Sequence, residues 1–364
     1  MLDTNQPVYR RNRKTKFSAT EALMEAHKIA FYPLLFECVR AMLEFGLLPS
    51  LLDTALAPAE LQKKCAVSEY ALTLMLDVAE YLNILETVPD GKYRATKLGR
   101  ILATDTALRV NMDFMHDVCY LGAFRLTDSL RSGRPEGLRF LGDWPTIYDG
   151  LAQLPARIQQ SWFAFDNYYS DLVFDHVVRI VLAAKPGVVF DVGGNTAKFD
   201  IALLQADPAV RSEIFDLPGQ LAKAGQNLQA AGLAHRVTLH ACNVLAEDTE
   251  FPPQADAIFM SQFLDCFSRE NIALILRKVR SALKPAARFF ILEPFIDQQP
   301  RGAAVSLLAI SLYFTCMANG YSRMYRQTDF TAWLKEAGFQ IIKAHQGLGE
   351  FDYTLLECAV ADAR

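Results

Sequence analysis

Seven short apolar runs in the second half of the chain constrain its fold more than any other feature. Helix-like segments separate the first five runs, which predicts βαβ units and a mostly parallel sheet covered on both faces. The last two runs are joined only by residues 345–352, too few for a crossover helix, so an antiparallel final pair is predicted. The predicted strands are residues 187–192, 212–217, 236–241, 255–260, 287–293, 339–344 and 353–360.

The first third of the chain is predicted to be helical. Apolar residues recur at helical spacing until Gly46 and Pro49 interrupt them. Two short helices joined near Ala66–Ser68 follow, and the "PDG" turn at residues 89–91 predicts the small hairpin of a winged helix. The second of these helices, residues 69–83, contains no lysine or arginine, which argues against DNA binding. We interpret the long apolar helices as a dimerisation surface.

Composition and charge argue against several classes of partner and compartment. The net charge is −4, and no stretch reaches the roughly 18 uncharged apolar residues of a membrane span, so neither nucleic acid nor a membrane is expected. The first thirty residues lack the apolar segment of a signal peptide. Seven cysteines without CxxC spacing argue against both a disulfide framework and structural zinc. We therefore expect a cytoplasmic protein that binds no metal.

The ends of the first two predicted strands carry groups suited to a nucleoside. Gly193 and Gly194 follow the first strand and precede a helix, so the chain can turn sharply and a ligand can approach backbone N–H groups. Asp216 ends the second strand, 25 residues after Asp191. An acid at that place can accept hydrogen bonds from both hydroxyls of a ribose. The alternative interpretation is that both aspartates only cap helices.

The next two strand ends carry groups suited to adenine. Asn243 follows the third strand, and its amide can pair with the edge of the base. Phe267 follows the fourth strand and can stack on the ring, although a place in the core is its alternative. Taken together, the four strand ends favour an adenosine-binding site at one edge of the sheet.

The helical residues 105–185 are dense in aromatic and acidic side chains. Aromatic residues at this density are typical of a core, but the interleaved polar groups also suit a pocket. With residues 307–325, these helices are expected to surround a flat, aromatic small-molecule acceptor. The side chains assigned to this pocket are Trp162, Phe165, Tyr169, Tyr313, Met317 and Asn319.

The order of these motifs resembles the class I S-adenosylmethionine-dependent O-methyltransferases of the plant caffeic-acid, bacterial antibiotic and hydroxyindole type. The resemblance extends over nearly the whole chain. The matching motifs are "DVGG" (191–194), "FDLP" (215–218), "ADAIF" (255–259), "ILEPF" (291–295) and "FTAWLKEAGFQ" (330–340).

The resemblance implies a fold, a division into domains and an assembly. Residues 1–104 correspond to a winged-helix dimerisation domain, and residues 105–185 to a helical region that lines the acceptor pocket. Residues 186–364 correspond to a Rossmann-like α/β catalytic domain with seven strands, of which the last is antiparallel. The family's usual assembly implies a homodimer.

The resemblance also implies that the chain binds S-adenosylmethionine and releases S-adenosylhomocysteine. Several cofactor positions depart from the family: Asn243 stands where an aspartate is usual, Ser261 where a lysine is usual and Phe267 where a tryptophan covers the adenine. The family's usual "GGGxG" loop also differs, and reads "GGNTA" at residues 193–197. The residues assigned to the cofactor are Asp191, Gly193, Gly194, Asp216, Leu217, Asn243, Val244, Ser261, Gln262 and Phe267.

The most consequential departure concerns the catalytic base. Asp265 stands at the position of the family's histidine base, and Glu293 matches the acid that orients that histidine. Met324 occupies the place of a further family acid. Burial beside Glu293 is expected to raise the pKa of Asp265 into a useful range, so that the two carboxylates accept the proton of a phenol. His116, in an aromatic helical segment, is a second candidate base, with a structural role as its alternative.

These observations predict a methyltransferase that acts on an aromatic hydroxyl in secondary metabolism. Because the usual histidine is missing, a family member that keeps the cofactor but performs hydroxylation or decarboxylation is one alternative. A non-catalytic, dimeric binding protein is the other.

Overall fold

The computed structural model describes residues 16–171, 173–299, 301–349 and 351–361, without the side chains of residues 169–171 and 301–302. The described residues belong to two compact units, one within Lys14–Met115 and the other within His116–Arg364. The functional roles predicted for residues 1–104, 105–185 and 186–364 remain predictions. No helix in the described ranges is both long enough and apolar enough to span a membrane.

The first unit is helical and contains one small hairpin. Ser18 and Glu21 form a capping box that starts its first helix, and Gly46, with φ +74°, ends the apolar run as predicted. The predicted helix pair and the "PDG" hairpin are both present. In chain order, the elements are α1 (Ala19–Glu44), α2 (Leu47–Ser50), α3 (Pro58–Cys65), α4 (Glu69–Tyr81), β1 (Leu85–Val88), β2 (Lys92–Ala95), α5 (Lys97–Thr104) and α6 (Thr106–Phe114).

The second unit begins with short helices and ends with an α/β sheet. The helices before the sheet are α7 (Tyr120–Ala123), α8 (Leu126–Ser132), α9 (Ile147–Gly150), α10 (Ala156–Asp171) and α11 (Phe174–Ala183). Those of the sheet region are α12 (Lys198–Ala206), α13 (Pro218–Ala230), α14 (Arg269–Ala282), α15 (Arg301–Tyr313) and α16 (Gln327–Glu336). Short π-helical turns, Met115–Cys119 and Phe314–Ala318, precede α7 and extend α15.

The sheet has seven strands in the order β5-β4-β3-β6-β7-β9-β8. Its strands are β3 (Val188–Val192), β4 (Arg211–Asp216), β5 (Val237–Ala241), β6 (Ala255–Ser261), β7 (Leu283–Glu293), β8 (Phe339–Leu348) and β9 (Tyr353–Val360). Strands β3 to β7 pair in parallel, whereas β9 is antiparallel to both of its neighbours. The predicted α/β fold class and the antiparallel final hairpin are therefore confirmed.

One predicted helix is absent. The segment between β5 and β6, residues 242–254, forms turns, although a helix was expected between each of the first five strands. Pro252 and Pro253 remove two backbone donors from this segment, which a helix would need. Lys278 instead holds its backbone, because Nζ donates to the carbonyl oxygens of Val244 (2.9 Å) and Ala246 (2.6 Å).

Apolar residues cover both faces of the sheet. Within β3, Val189 belongs to the core formed with α11 and α12, and Phe190 belongs to the core formed with α14 and α16. Alternate residues of a strand point to opposite faces, so a strand buried on both faces reads as a continuous apolar run. The polar residues of the central strands are thereby concentrated at the strand ends, where the candidate site lies.

Candidate active site

The carboxyl ends of β3, β4, β5 and β6 meet at one edge of the sheet. The chain order reverses between β3 and β6, which are neighbours in the sheet although β4 and β5 separate them in the sequence. Such a switch point leaves a crevice outside the strand ends, where ligands of open α/β sheets bind. The structure thus brings the predicted cofactor residues of these strands to a common edge.

The glycine loop after β3 is held tightly on both sides. Gly193 has φ +82°, and its N–H donates to the carbonyl oxygen of Phe215 (2.9 Å). A Cβ atom at Gly193 would lie 2.2 Å from the ring of Phe263, and one at Gly194 would lie 2.7 Å from Ile214. The loop therefore requires glycine at both positions, because a side chain would displace β4 or the turn after β6.

Asp216 anchors the same loop from the end of β4. Its two carboxylate oxygens accept hydrogen bonds from the backbone N–H groups of Asn195 (2.8 Å) and Leu217 (2.6 Å). Burial raises the pKa of Asp216 to about 6, and the two backbone donors oppose that rise. Each oxygen keeps a second lone pair, so the carboxylate can still accept hydrogen bonds from a ligand.

Asp191 lies deeper and is paired with an acid that the sequence analysis missed. Asp191 is 2 % exposed and Asp200 is fully buried, and Ser212 donates a hydrogen bond to Asp200. Burial and the neighbouring Asp200 raise the pKa of Asp191 well above its usual range. In the sequence, Asp200 stands between apolar residues of α12, a position that indicates burial. Because a buried carboxyl group needs polar partners, this pattern could have identified it.

Asn243 and Val244 occupy the turn segment after β5. Asn243 is exposed, and its Oδ1 accepts a hydrogen bond from the backbone of Leu245 (2.9 Å), so the side chain stabilises its own turn. Val244 is buried, and its carbonyl oxygen is the one that Lys278 contacts. The structure keeps both residues at the sheet edge in a fixed turn.

The predicted residues at the end of β6 have different surroundings. Ser261 has a buried Oγ without a hydrogen-bond partner among the described residues. Gln262 has φ +48°, and its Oε1 accepts a hydrogen bond from the hydroxyl of Tyr353 (2.7 Å). Phe267 packs edge-on against Phe263, with ring centroids 4.9 Å apart. Among these three side chains, the buried polar atom that lacks a hydrogen-bond partner in the described structure is Ser261 Oγ.

Two acids form the centre of the site. Asp265 lies in the turn after β6 and is 4 % exposed, while Glu293 ends β7 and is 2 % exposed. Glu293 Oε1 accepts a hydrogen bond from the backbone of Leu264 (3.1 Å), but its Oε2 has no hydrogen-bond partner in the described structure. Burial raises the pKa of Asp265 to about 7, and burial together with the charge of Asp265 raises that of Glu293 well above its usual value.

A short chain of hydrogen bonds leads to this pair. Tyr148 donates from its hydroxyl to Cys266 Sγ (3.2 Å), and the Cys266 thiol donates to Asp265 Oδ1 (3.5 Å). The carbonyl oxygen of Cys266 accepts a hydrogen bond from Asn319 Nδ2 (2.8 Å). Tyr148 was missed in the sequence analysis, because a contact between residues 118 positions apart leaves no local pattern.

Two of the predicted pocket residues contact each other. Trp162 Nε1 donates to the hydroxyl of Tyr313 (2.8 Å), and both side chains are buried. Phe165, on the same helix as Trp162, is partly buried. The side chain of Tyr169 lies outside the described part of the structure.

The other two predicted pocket residues have structural contacts. Met317 is buried against Gly122, where an added Cβ would lie 1.8 Å from its sulfur. Asn319 uses Oδ1 to accept hydrogen bonds from the backbone of Tyr321 (3.2 Å) and Ser322 (3.1 Å), in addition to its contact with Cys266. Their role in acceptor binding remains a prediction.

A cavity of about 640 Å³ opens beside the site. Tyr148, Asn195 and Leu217 line it, together with Phe163 and Asn167 of α10. It therefore borders both the turn that follows Asp216 and the tyrosine that contacts Cys266. A volume of this size accommodates a small organic molecule.

His116 lies in the π-helical turn before α7. Its Nε2 is 3.8 Å from Asp117 Oδ1, its ring centroid is 6.4 Å from that of Tyr120, and its side chain is 35 % exposed. These neighbours do not include Asp265 or Glu293, and its role as a second base remains a prediction. In the described ranges, no group of three or more His, Cys, Asp or Glu side chains is arranged to hold a metal ion.

Comparisons with known families agree with this architecture. A model described as the O-methyltransferase domain matches residues 126–340, and one described as a Dimerisation2-like domain matches residues 24–93. The first match covers the cavity, the glycine loop, both central acids and the sheet as far as the start of β8.

Among curated proteins, similar sequences include two from Streptomyces. An L-tyrosine C(3)-methyltransferase of Streptomyces lavendulae is 29% identical over 257 residues, which are 70% of this chain and 69% of that protein. An O-demethylpuromycin-O-methyltransferase of Streptomyces alboniger is 25% identical over 86% of this chain and 82% of its own length.

Two solved structures share the fold. The apo form of the S-adenosylmethionine-dependent methyltransferase SibL has a TM-score of 0.73 at 24% identity and covers 93% of this chain and 99% of its own. The mitomycin 7-O-methyltransferase MmcR also has a TM-score of 0.73, at 17% identity. The match covers 94% of this chain and 98% of the MmcR chain. At these identities the likeness establishes the fold alone.

Proposed function

The chain belongs to the O-methyltransferase family, whose domain model matches residues 126–340, and on that premise we propose that it methylates the hydroxyl of a phenolic small molecule. S-adenosylmethionine is the methyl donor of this enzyme and S-adenosylhomocysteine its product. The observation that carries the choice of acceptor is the buried pair Asp265 and Glu293 at the end of β6 and β7. Such a pair can remove the proton that a phenol must lose.

The residues at the sheet edge fit the donor. Asp216 is held at the end of β4 by two backbone donors and keeps lone pairs for a ribose. Ser261 has a buried Oγ that lacks a partner among the described residues, as expected of an atom that a ligand satisfies. Gly193 and Gly194 let the backbone come close to the methionine portion. When bound, the donor supplies a methyl group on a positively charged sulfur.

Asp265 is the proposed base for the acceptor hydroxyl. A phenol has a pKa near 10, so few phenolate ions exist at neutral pH without a base. Because two neighbouring buried carboxyl groups resist holding two negative charges, one proton is shared by Asp265 and Glu293. The Cys266 thiol donates a hydrogen bond to Asp265 while this group is ionised, and Asp265 then accepts the proton that the phenol loses. General-base assistance of this kind contributes about 10²–10⁴-fold to a rate.

The pocket side of the site aligns and shields the acceptor. In this proposal Trp162 and Tyr313, which are joined by a buried hydrogen bond, supply aromatic surface for a flat acceptor. Holding an acceptor oxygen in line with a methyl group, at roughly 3–3.5 Å, removes much of the entropic barrier to displacement. Excluding water from this side strengthens the interactions of the charged groups.

A second candidate is methylation of a ring carbon beside the phenolic hydroxyl. It is favoured by the similarity to a protein named L-tyrosine C(3)-methyltransferase. Removal of the phenolic proton by Asp265 also increases electron density at the neighbouring carbons, so the same base serves either outcome. After carbon attack, the ring carbon must lose its proton to restore aromaticity. Because the oxygen regains a proton in the same step, Asp265 can return the phenolic proton to the oxygen and accept the one that the carbon loses.

We also infer that the enzyme is a homodimer that works in a reducing compartment such as the cytoplasm. A Dimerisation2-like domain matches residues 24–93, and α1 exposes several large apolar side chains in that range, including Ile29 (68 %) and Leu34 (71 %). Exposed apolar patches of this kind mark protein interfaces. All seven cysteines are free thiols, which suits a reducing environment.

The proposal is tested in two steps. Calorimetric titration with S-adenosylmethionine and S-adenosylhomocysteine should show binding of both. Incubation with the donor and a panel of phenols should then give a product heavier by one methyl group, and NMR of that product separates methylation on oxygen from methylation on carbon. Cofactor binding without any methylated product would favour hydroxylation or decarboxylation. Absence of cofactor binding would favour a binding protein.

A further inference from the structure

A third acid, Asp166, lies on the helix that contributes Phe163 and Asn167 to the cavity. It is on α10, one helical turn after Trp162, so the two side chains share a face of that helix. Its Oδ2 accepts a hydrogen bond from Asn195 Nδ2 (2.7 Å), which fixes the carboxylate against the glycine loop. Asp166 therefore connects the acceptor side of the site with the cofactor side.

The charge of Asp166 acts on the centre of the site. After burial, which has the largest effect, Asp166 contributes to the raised pKa of Asp265, Cys266 and Tyr313. These three groups belong to two different elements. Because such interactions weaken with distance, the negative charge of Asp166 acts on the part of the site that contains Asp265.

The central pair has no internal counterion. Among the described residues, neither Asp265 nor Glu293 forms an ion pair with a lysine, an arginine or a histidine. Glu293 Oε2 is buried without a hydrogen-bond partner in that part of the chain. A buried carboxylate raises the free energy of the protein unless a cation or a hydrogen-bond donor compensates its charge. A ligand with a positively charged hydrogen-bond donor would provide that compensation.

Aromatic rings complete the surroundings. Tyr148 contacts Cys266, and Tyr313 contacts Trp162 on the helix of Asp166. The faces of tyrosine and tryptophan rings attract cations, and ammonium groups are commonly recognised by aromatic rings combined with carboxylates. An organic cation is therefore a ligand that suits aromatic rings combined with a carboxylate.

We propose that the acceptor is a phenol that carries an amino group, and that Asp166 selects it by binding the ammonium form. This inference rests on the proposed function, because it specifies the acceptor of the same site. Asp166 acts as a specificity residue: the ammonium donates hydrogen bonds to its carboxylate, while the phenolic hydroxyl faces Asp265. A phenol that carries a carboxylate is disfavoured, since its negative charge would face three acids.

The test compares three phenols of similar shape and different charge. Tyramine is cationic, para-ethylphenol is neutral and para-hydroxyphenylacetate is anionic. Their equilibrium affinities are measured by calorimetry near neutral pH on full-length protein saturated with S-adenosylhomocysteine, so that no turnover is needed. We expect tyramine to bind about tenfold more tightly than para-ethylphenol, and para-hydroxyphenylacetate to bind most weakly.

Two substitutions at residue 166 separate charge from structure. Asp166→Asn removes the charge but keeps an oxygen that can accept the hydrogen bond from Asn195. We expect it to abolish the preference for tyramine while the affinity for para-ethylphenol changes less than about threefold. Asp166→Ala should lose the preference for tyramine and lower the affinity for all three phenols, because Asn195 loses its hydrogen-bond acceptor. Glu336→Gln, at an exposed ion pair on α16, is the control with the same change of charge and should behave as wild type.

The outcomes separate this inference from the proposed function. Failure of wild type to bind S-adenosylhomocysteine would count against the function itself. With the cofactor bound, equal affinity for tyramine and para-ethylphenol, or no binding of any of the three phenols, would overturn the inference about Asp166. So would a preference for tyramine that survives in Asp166→Asn. This variant could instead lower the affinity for S-adenosylmethionine more than that for S-adenosylhomocysteine and leave the preference for tyramine unchanged. Asp166 would then interact with the sulfonium of the methyl donor, and the inference would also be wrong.

Discussion

Asp265, in the turn after β6, and Glu293, at the end of β7, are buried neighbours at the carboxyl ends of two adjacent parallel strands. Burial and the charge of Asp265 together hold the pKa of Glu293 well above its usual range. This arrangement differs from a base oriented by an acid. Here both groups are acids, and their basicity depends on their burial and on their mutual repulsion.

The first prediction concerns the pH dependence of methyl transfer. Only the ionised form of Asp265 accepts a proton, and its pKa is about 7. We therefore expect the rate with saturating substrates to rise as the pH increases through about 7 and then to level off. Asp265→Asn should lower the rate by about 10²–10⁴-fold and remove this rise. Steady-state kinetics over the pH range provides the measurement, and a wild-type rate that falls with increasing pH would rule out Asp265 as the base.

The second prediction concerns stability. The pKa of Asp265 is raised in the folded protein to about 7, from an ordinary value of 3.8. The unfolded chain therefore loses this proton at a lower pH than the folded protein does, and folding stability falls as the pH rises through this window. Asp265→Asn lacks the ionisable group, so its stability should not fall in this way. Relative to wild type, its free energy of unfolding should increase by roughly 2–4 kcal/mol as the pH rises from about 4 to 8.

Urea denaturation of both proteins across that range measures the stability difference. Asp256→Asn is an informative comparison. Burial favours a higher pKa for that aspartate, but the hydrogen bond from Lys284 and the other partners outweigh it, so that the pKa is lowered. The stability deficit of this variant relative to wild type should develop as the pH rises toward the ordinary pKa of aspartate and should stay constant across the measured range above it. A constant difference between Asp265→Asn and wild type would mean that the carboxyl group has an ordinary pKa in the folded protein.

The third prediction concerns cofactor affinity. Asp216→Ala removes the acceptor of the N–H groups of Asn195 and Leu217 and the proposed acceptor of the ribose hydroxyls. We expect the affinity for S-adenosylhomocysteine to fall by about 10–100-fold in calorimetric titration. Asp216→Asn keeps one acceptor oxygen and should have an intermediate effect. Unchanged affinity in the alanine variant would exclude a ribose contact.

The fourth prediction tests the glycine loop with a matched pair of substitutions. Gly193→Ala places a Cβ 2.2 Å from the Phe263 ring at φ +82°, so we expect a loss of about 1–3 kcal/mol in stability. Gly219→Ala, in the first turn of α13, meets no atom within 4 Å. It should be neutral or up to about 1 kcal/mol stabilising. Thermal unfolding of both variants provides the comparison, and similar effects would show that the loop tolerates a side chain.

The fifth prediction concerns assembly. Leu34→Asp places a charge on the exposed apolar surface of α1, and we expect it to convert a dimer into a monomer in light-scattering measurements. Gln229→Asp, at an exposed position of α13, adds the same charge away from that surface and should leave the dimer intact. A wild-type monomer would contradict the proposed assembly directly.

Much of the fold was predictable because the sheet is buried on both faces. Each strand therefore appears in the sequence as an apolar run, and residues 345–352 were too few to allow anything but an antiparallel pair. The missing helix between β5 and β6 was not predictable from alternation alone. That segment depends on Lys278, which is distant in the sequence and contacts the backbone at Val244 and Ala246.

The candidate site was most readily predictable where its residues follow strands. Asp216 and Asp265 were found because strand ends at one edge of a parallel sheet lie together. Tyr148 and Asp166 come from helices before the sheet, and their contacts with Cys266 and Asn195 join distant parts of the sequence. Neither contact produces a local pattern in the sequence, because each contact forms only when distant segments pack together.

The position of β9 has a consequence for the timing of folding during synthesis. Its residues pair with β7, where Thr354 lies opposite Glu293, and Tyr353 contacts Gln262 in the turn before Asp265. The ribosome makes this strand after the other six, yet it inserts between two of them. A nascent chain that lacks it leaves an open edge beside Glu293. The proposed catalytic pair therefore reaches its final surroundings only after translation has passed residue 360, and premature termination upstream should yield an inactive protein.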